Sequence, residues 1–208
     1  MLKGIEVLCH SSIKISKDKI IYIDPFRVDK EYRDADYIFI THEHYDHFSI
    51  ADINKVIKEN TIIIMPESMK EKVTQEGYNR DNIIFVLPNN RYNLDDFSYD
   101  TIYAYNVNKK FHPKENDWVG YILHINGNSY YIAGDTDITD DNLKVQCDVA
   151  LVPVGGTYTM TYKEAAELVN SIKPKFAIPT HYGEIVGDKE DGKKFTSLLD
   201  EDILFKVM

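Results

Sequence analysis

His42-Glu43-His44-Tyr45-Asp46-His47 lies at the end of the apolar run Tyr37-Ile38-Phe39-Ile40. Three imidazoles and an aspartate fall within six residues. Imidazole is the commonest side-chain metal ligand, and a carboxylate adds a harder oxygen donor. In an extended segment alternate residues point the same way, so His42, His44 and Asp46 converge while Glu43 and Tyr45 face elsewhere. His47 then turns in beside Asp46. One short loop can therefore serve two metal ions. A solvated loop that merely happens to be polar is the competing reading. The chain has only seven histidines in 208 residues, and three of them in one short window favour metal.

Other short apolar runs also end in a potential ligand. Tyr130-Tyr131-Ile132-Ala133-Gly134 precedes Asp135, and Phe176-Ala177-Ile178-Pro179-Thr180 precedes His181. The carboxyl ends of strands are where open α/β sheets place their ligand sites. His112 sits in Phe111-His112-Pro113, a loop between two expected strands.

Around these points the chain alternates. Strands are expected at residues 5–9, 12–16, 20–23 and 37–41, the second and third joined by a tight Lys17-Asp18 turn. Ser49-Ile50-Ala51-Asp52 has capping-box form and opens a helix to about residue 60. A β-branched strand at 61–65 and a helix at 67–76 follow, the helix closed by Gly77 in a left-handed cap. The middle is strand-rich, at 83–87, 97–107 and 118–125, with Asn126-Gly127 turning a hairpin into 129–133. Alternation then resumes: a strand at 149–154, a helix from the capping box Thr161-Tyr162-Lys163-Glu164 to about 172, a strand at 176–179, a helix near 193–200 and a last strand at 203–207. Two mixed sheets packed face to face with helices outside would bury all these runs. The expectation is an α/β (α+β) chain, a four-layer αββα sandwich, forming one domain over residues 1–208.

Composition narrows the function. With 43% hydrophobic and 28% charged residues the chain is an ordinary globular one. No apolar run approaches the ~20 residues that span a bilayer, and the charged N-terminal strand leaves no room for a signal-peptide core. Cys9 and Cys147 do not make a disulfide framework and suit a reduced cytoplasmic protein. The net charge of −10 opposes binding to nucleic acid or an anionic membrane. It leaves room for a small anionic substrate, because two divalent ions would bring positive charge into the site itself. No exposed apolar stripe demands an oligomer.

Together, His42-x-His44-x-Asp46-His47, His112, Asp135 and His181 resemble the metallo-β-lactamase fold superfamily of metallohydrolases, over nearly the whole chain. Cys9-His10-Ser11-Ser12, Ile23-Asp24-Pro25-Phe26 and Gly155-Gly156-Thr157-Tyr158-Thr159-Met160 are similar to its ascorbate-phosphate lactonase-like and uncharacterised metal-dependent hydrolase branch. N-acyl-phosphatidylethanolamine phospholipases are distant relatives of that branch. The chain departs from the glyoxalase II and long ribonuclease groups, since Phe48-Ser49-Ile50 replaces their glycine. It departs from the flavo-diiron proteins as well, which carry a carboxylate where His44 stands.

The resemblance implies one metal held by His42, His44 and His112, and another by Asp46, His47 and His181, with Asp135 bridging. It also implies a water acidified between them as the nucleophile for hydrolysis. Zinc ranks first, manganese second, and iron also suits the donors. Asp46 would both ligate and orient or deprotonate the water. His10 would line the site or hydrogen-bond a ligand, or else be structural. Asp24 would orient a ligating imidazole, or simply end a strand. Tyr158 would touch substrate, or pack in the core with Met160. His124, within a strand, reads as structural. The expected substrate is a small, anionic ester, phosphodiester or lactone. The alternatives are a nuclease, or a non-catalytic metal-binding or regulatory protein on the same scaffold.

Overall fold

The computed structural model describes residues 1–76 and 80–207. The chain forms two compact units, one of residues 2–87 and one of residues 88–208 with Met1. Each contains one mixed sheet, so the expected class of two mixed sheets with helices is what the chain adopts.

In the first unit, strands β1 (Ile5–Cys9), β2 (Ser12–Ser16) and β3 (Ile20–Ile23) form an antiparallel meander. Strands β4 (Tyr37–Phe39), β5 (Ile62–Pro66) and β6 (Ile83–Val86) then add in parallel, giving the order β1-β2-β3-β4-β5-β6. Helices α1 (Ile50–Val56) and α2 (Lys70–Gln75) supply the crossovers. Ile38, Ile40, Ile53, Val56, Met65 and Val73 pack in one buried cluster. These strands are apolar throughout because a parallel sheet is buried on both faces.

The second unit repeats the plan. Strands β7 (Arg91–Asn93), β8 (Ser98–Tyr103), β9 (Val119–Ile125) and β10 (Asn128–Ile132) are antiparallel. Strands β11 (Val149–Pro153), β12 (Phe176–Thr180) and β13 (Leu204–Phe205) continue in parallel. Helices α3 (Tyr162–Ile172) and α4 (Asp191–Thr196) belong to this unit. The capping box at Thr161 and Glu164 is formed from both sides, and Asn126 and Gly127 both take positive φ in the β9–β10 turn.

Several boundaries differ from expectation for local reasons. The strand expected at 37–41 stops at Phe39, because the Thr41 amide donates to the Asp24 carboxylate at 2.8 Å. The first helix ends at Val56 rather than near 60. Ile57 is already extended, and the Lys58 amide donates to the Thr61 hydroxyl. The expected strand at 97–107 is only Ser98–Tyr103. The edge strand β7 is short and polar, with no apolar alternation to announce it. The helix expected at 67–76 begins as a 3₁₀ turn at Glu67–Met69, and the Gly77 cap lies outside the described residues.

Candidate metal centre

In each unit most of the donors follow the carboxyl ends of strands paired in parallel, and one lies in an antiparallel connection. In the first unit His10 occupies the β1–β2 turn, Asp24 follows β3, and the 42–47 loop follows β4. In the second, Asp135 follows β10, His181 follows β12, and His112 lies in the β8–β9 connection. Four of these residues, His10, Asp24, His112 and His181, have φ between 45° and 60°. A left-handed backbone costs an L-residue roughly 1–2 kcal/mol, and such strain collects at functional sites.

The first cluster is built around Asp24 and Thr41. The Asp24 carboxylate accepts from the Thr41 amide at 2.8 Å and from the Thr41 hydroxyl at 2.7 Å. Its Oδ2 lies 2.7 Å from His47 Nδ1. Burial pushes the Asp24 carboxyl up from its ordinary range, while the His47 imidazole and Thr41 pull the other way. A carboxylate on Nδ1 fixes the tautomer and leaves Nε2 as the donor toward a metal. His42 Nε2 lies 3.1 Å from His44 Nδ1, and the His42 ring stands against His47 with centroids 4.0 Å apart. Asp46 Oδ2 is 3.3 Å from His10 Nε2 and 3.8 Å from His47 Nε2. The loop entering this cluster is anchored by Asp52, which accepts from the amides of Arg27 and Val28 and from Ser49.

In the second cluster the Asp135 Oδ2 atom lies 3.3 Å from His112 Nε2 and 3.1 Å from His181 Nε2, with all three side chains buried. Asn106 supports His112. Its amide nitrogen donates to the carbonyls of Phe111 and Tyr158 at 3.0 and 2.6 Å and lies 3.2 Å from His112 Nδ1. Tyr158 is half-buried, its ring edge-on to Phe111 at 4.7 Å, whereas Met160 is in the core. In the Gly155-Gly156 pair, Gly156 supplies a positive φ of 67°. Gly155 lets the chain pass close to His181, whose carbonyl oxygen is 2.2 Å from where a Cβ would stand. His124 pairs with Asp100 at 2.7 Å across the β8–β9 ladder, a structural contact.

These donors suit divalent transition metals: buried imidazole nitrogens and carboxylate oxygens, several spaced as ligands of one ion are. Thr41 and Asn106 were not among the residues expected from the sequence. A hydroxyl directly before His42 was a usable signal for Thr41. Nothing local marked Asn106, which meets Tyr158 across 52 residues of sequence.

The chain matches the family described as the β-lactamase superfamily domain over residues 4–181. It is 32% identical to a UPF0173 protein of Pyrococcus abyssi, over 86% of this chain and 82% of that one. It is 30% identical to a UPF0173 metal-dependent hydrolase of Thermococcus onnurineus, over 97% and 96%. A crystal structure described as a putative metal-dependent hydrolase from Parabacteroides distasonis superposes with a TM-score of 0.82 at 29% identity, covering 98% of this chain and 91% of that one. The motifs, the two mixed sheets and these relatives agree, and the chain belongs to the metallo-β-lactamase superfamily, among its metal-dependent hydrolases.

Proposed function

We propose that the protein hydrolyses a small, anionic ester, phosphodiester or lactone with two divalent metal ions. His42, His44 and His112 would hold one ion, Asp46, His47 and His181 the other, and Asp135 would bridge them. The observation that carries this reading is the Asp135 carboxylate, set 3.3 and 3.1 Å from imidazoles assigned to different ions. A bridging ligand requires that placement. The family match takes in both units and supports treating residues 1–208 as one catalytic domain.

When bound, such ions supply a hydroxide nucleophile near neutral pH and polarise the scissile oxygen. The protein's own groups do the rest. Asp24 holds the His47 ring in one orientation. Asp46 would orient the attacking water or accept its proton, and Asn106 ties the His112 loop to the Tyr158 carbonyl. Tyr158, on the loop between β11 and α3, is assigned to substrate. Zinc is our first choice of metal, ahead of manganese and iron.

Among the described residues no helix is long and apolar enough to cross a membrane. Neither Cys9 nor Cys147 is in a disulfide, which supports a cytoplasmic setting. Metal analysis of the purified protein tests the reading, followed by a panel of phosphodiesters, phosphomonoesters, lactones and thioesters after loading with Zn²⁺ or Mn²⁺. We expect close to two ions per chain and turnover of one class. A chain that takes up no transition metal would overturn it.

A further inference from the structure

His–Asp contacts in this chain fall into two kinds. His47 Nδ1–Asp24 and His124 Nε2–Asp100 are both 2.7 Å, the length of a charge-assisted hydrogen bond. His112–Asp135 and His181–Asp135, between expected ligands, are longer at 3.3 and 3.1 Å. Donors sharing one ion, each about 2.0–2.2 Å from it, stand roughly 3–4 Å apart. His10 Nε2 to Asp46 Oδ2 is 3.3 Å, of the second kind.

We infer that His10 is a direct ligand of the ion held by Asp46 and His47. This rests on the two-metal reading above and adds a residue to it. The ligand atoms of His10, Asp46 and His47 all lie within 4.8 Å of one another, and all three residues are buried. The His10 side chain is fully buried, where an imidazole has little reason to be unless its nitrogens are engaged. Its φ of 56°, in the irregular end of the β1–β2 pairing, turns the ring out of the strand's alternation and toward Asp46.

The consequence concerns the metal. On the two-metal reading Asp46, His47, His181 and Asp135 would already supply four protein donors, as many as a closed tetrahedral zinc site holds. A fifth donor from His10 would raise the coordination number that the protein supplies. Such a site suits an ion that accepts octahedral geometry, such as manganese or iron, better than tetrahedral zinc. The two ions would then differ in preference, the His42/His44 site remaining the more zinc-like.

The test uses cobalt(II), whose visible absorption strengthens as its coordination number falls. The metal-free full chain is loaded with Co²⁺ as wild type and as His10→Asn, asparagine being tolerant of the left-handed backbone. We expect one of the two ions to bind at least ~10²-fold more weakly in the variant, with stronger visible absorption per bound ion when that site is filled. Two ions at wild-type affinity with an unchanged spectrum would overturn the assignment. A measurement without any substitution covers a variant that does not fold: in ¹⁵N spectra of the wild type, Zn²⁺ should shift one ring nitrogen of His10 together with that of His47. A His10 resonance that stays in place while His47 moves would also overturn it. Wild-type protein that binds no metal would instead sink the underlying reading.

Discussion

His47 Nδ1 lies 2.7 Å from Asp24 Oδ2, with 0% and 1% of the two side chains exposed. The pair links the residue that follows β3 to the loop that follows β4. Removing the carboxylate frees the ring to rotate and to change tautomer. Substitution of such partners typically costs 10–100-fold in metal affinity. Asp24→Asn, which keeps shape and tolerates the φ of 45°, should lower the affinity of one ion by roughly that factor. Competition with a chelator measures it, and unchanged affinity would show the pair to be structural only.

Asp46 and Asp135 are expected to act on the chemistry itself. Asp46→Asn keeps the size of the side chain but weakens it as a ligand and removes its basicity. Asp135→Ala removes the proposed bridge. Each should reduce turnover of whichever substrate the panel identifies by at least ~10²-fold. Full activity in both variants, with metal still stoichiometric, would exclude the proposed mechanism.

The clustering of imidazoles in the 42–47 loop could be read from the sequence because its chemistry is local. Six residues after an apolar strand carry their own spacing rule. The placement of Asp135 and His181 just after β10 and β12 was legible for the same reason. Left-handed backbone at His10, Asp24, His112 and His181 could not be read, because none of them is glycine and tertiary packing sets their φ. Asn106 was hidden by distance, its Tyr158 contact joining two loops far apart in the chain. The early end of the first helix escaped because a Lys58–Thr61 hydrogen bond, rather than a glycine or proline, stops it.

Asp148 should govern part of the acid limb of stability. It sits just before β11, accepting from the Ser129 amide at 2.8 Å and hydroxyl at 3.0 Å, and pairing with Lys175 at 2.7 Å. The Lys175 ammonium and the Ser129 amide hold its carboxyl below the ordinary value of 3.8. A depressed folded-state value contributes stability that is complete above the unfolded value and is lost as pH falls from there through the folded one. Asp148→Asn should therefore be less stable than wild type at neutral pH, and the gap should close below about pH 3–4. Urea midpoints across pH test the sign, and a gap that widens in acid would contradict it.

Cys147 should be a poor nucleophile. Burial, and then the neighbouring Asp148 charge, push its thiol up to about 12 from 9.0. Thiolate is the reactive form, so at pH 8 its labelling should be roughly 10³-fold slower than that of an ordinary thiol with the same access. Ellman's reagent on a Cys9→Ser background isolates the signal. Rapid labelling of the folded chain, slowing to the ordinary rate on denaturation, would reverse this picture of the site.

Gly155 and Gly156 are adjacent but needed for different reasons, and substitution should separate them. At Gly156 the demand is a φ of +67°, with the nearest atom to an added Cβ 3.4 Å away. Gly156→Ala should cost about 1–2 kcal/mol, and Gly156→Asn should recover part of this because asparagine tolerates that region. At Gly155 the demand is space: an added Cβ would stand 2.2 Å from the His181 carbonyl oxygen. Backbone must move to admit it, an overpacking cost of typically 1–3 kcal/mol. Asparagine offers no relief there, because the first carbon of any side chain makes the clash. The displaced atom belongs to an expected ligand, so Gly155→Ala should also weaken metal binding while Gly156→Ala leaves it near wild type. Denaturation and chelator competition on Gly155→Ala, Gly155→Asn, Gly156→Ala and Gly156→Asn provide the measurement. Equal metal affinity in Gly155→Ala and Gly156→Ala would show that the close approach at residue 155 does not position His181.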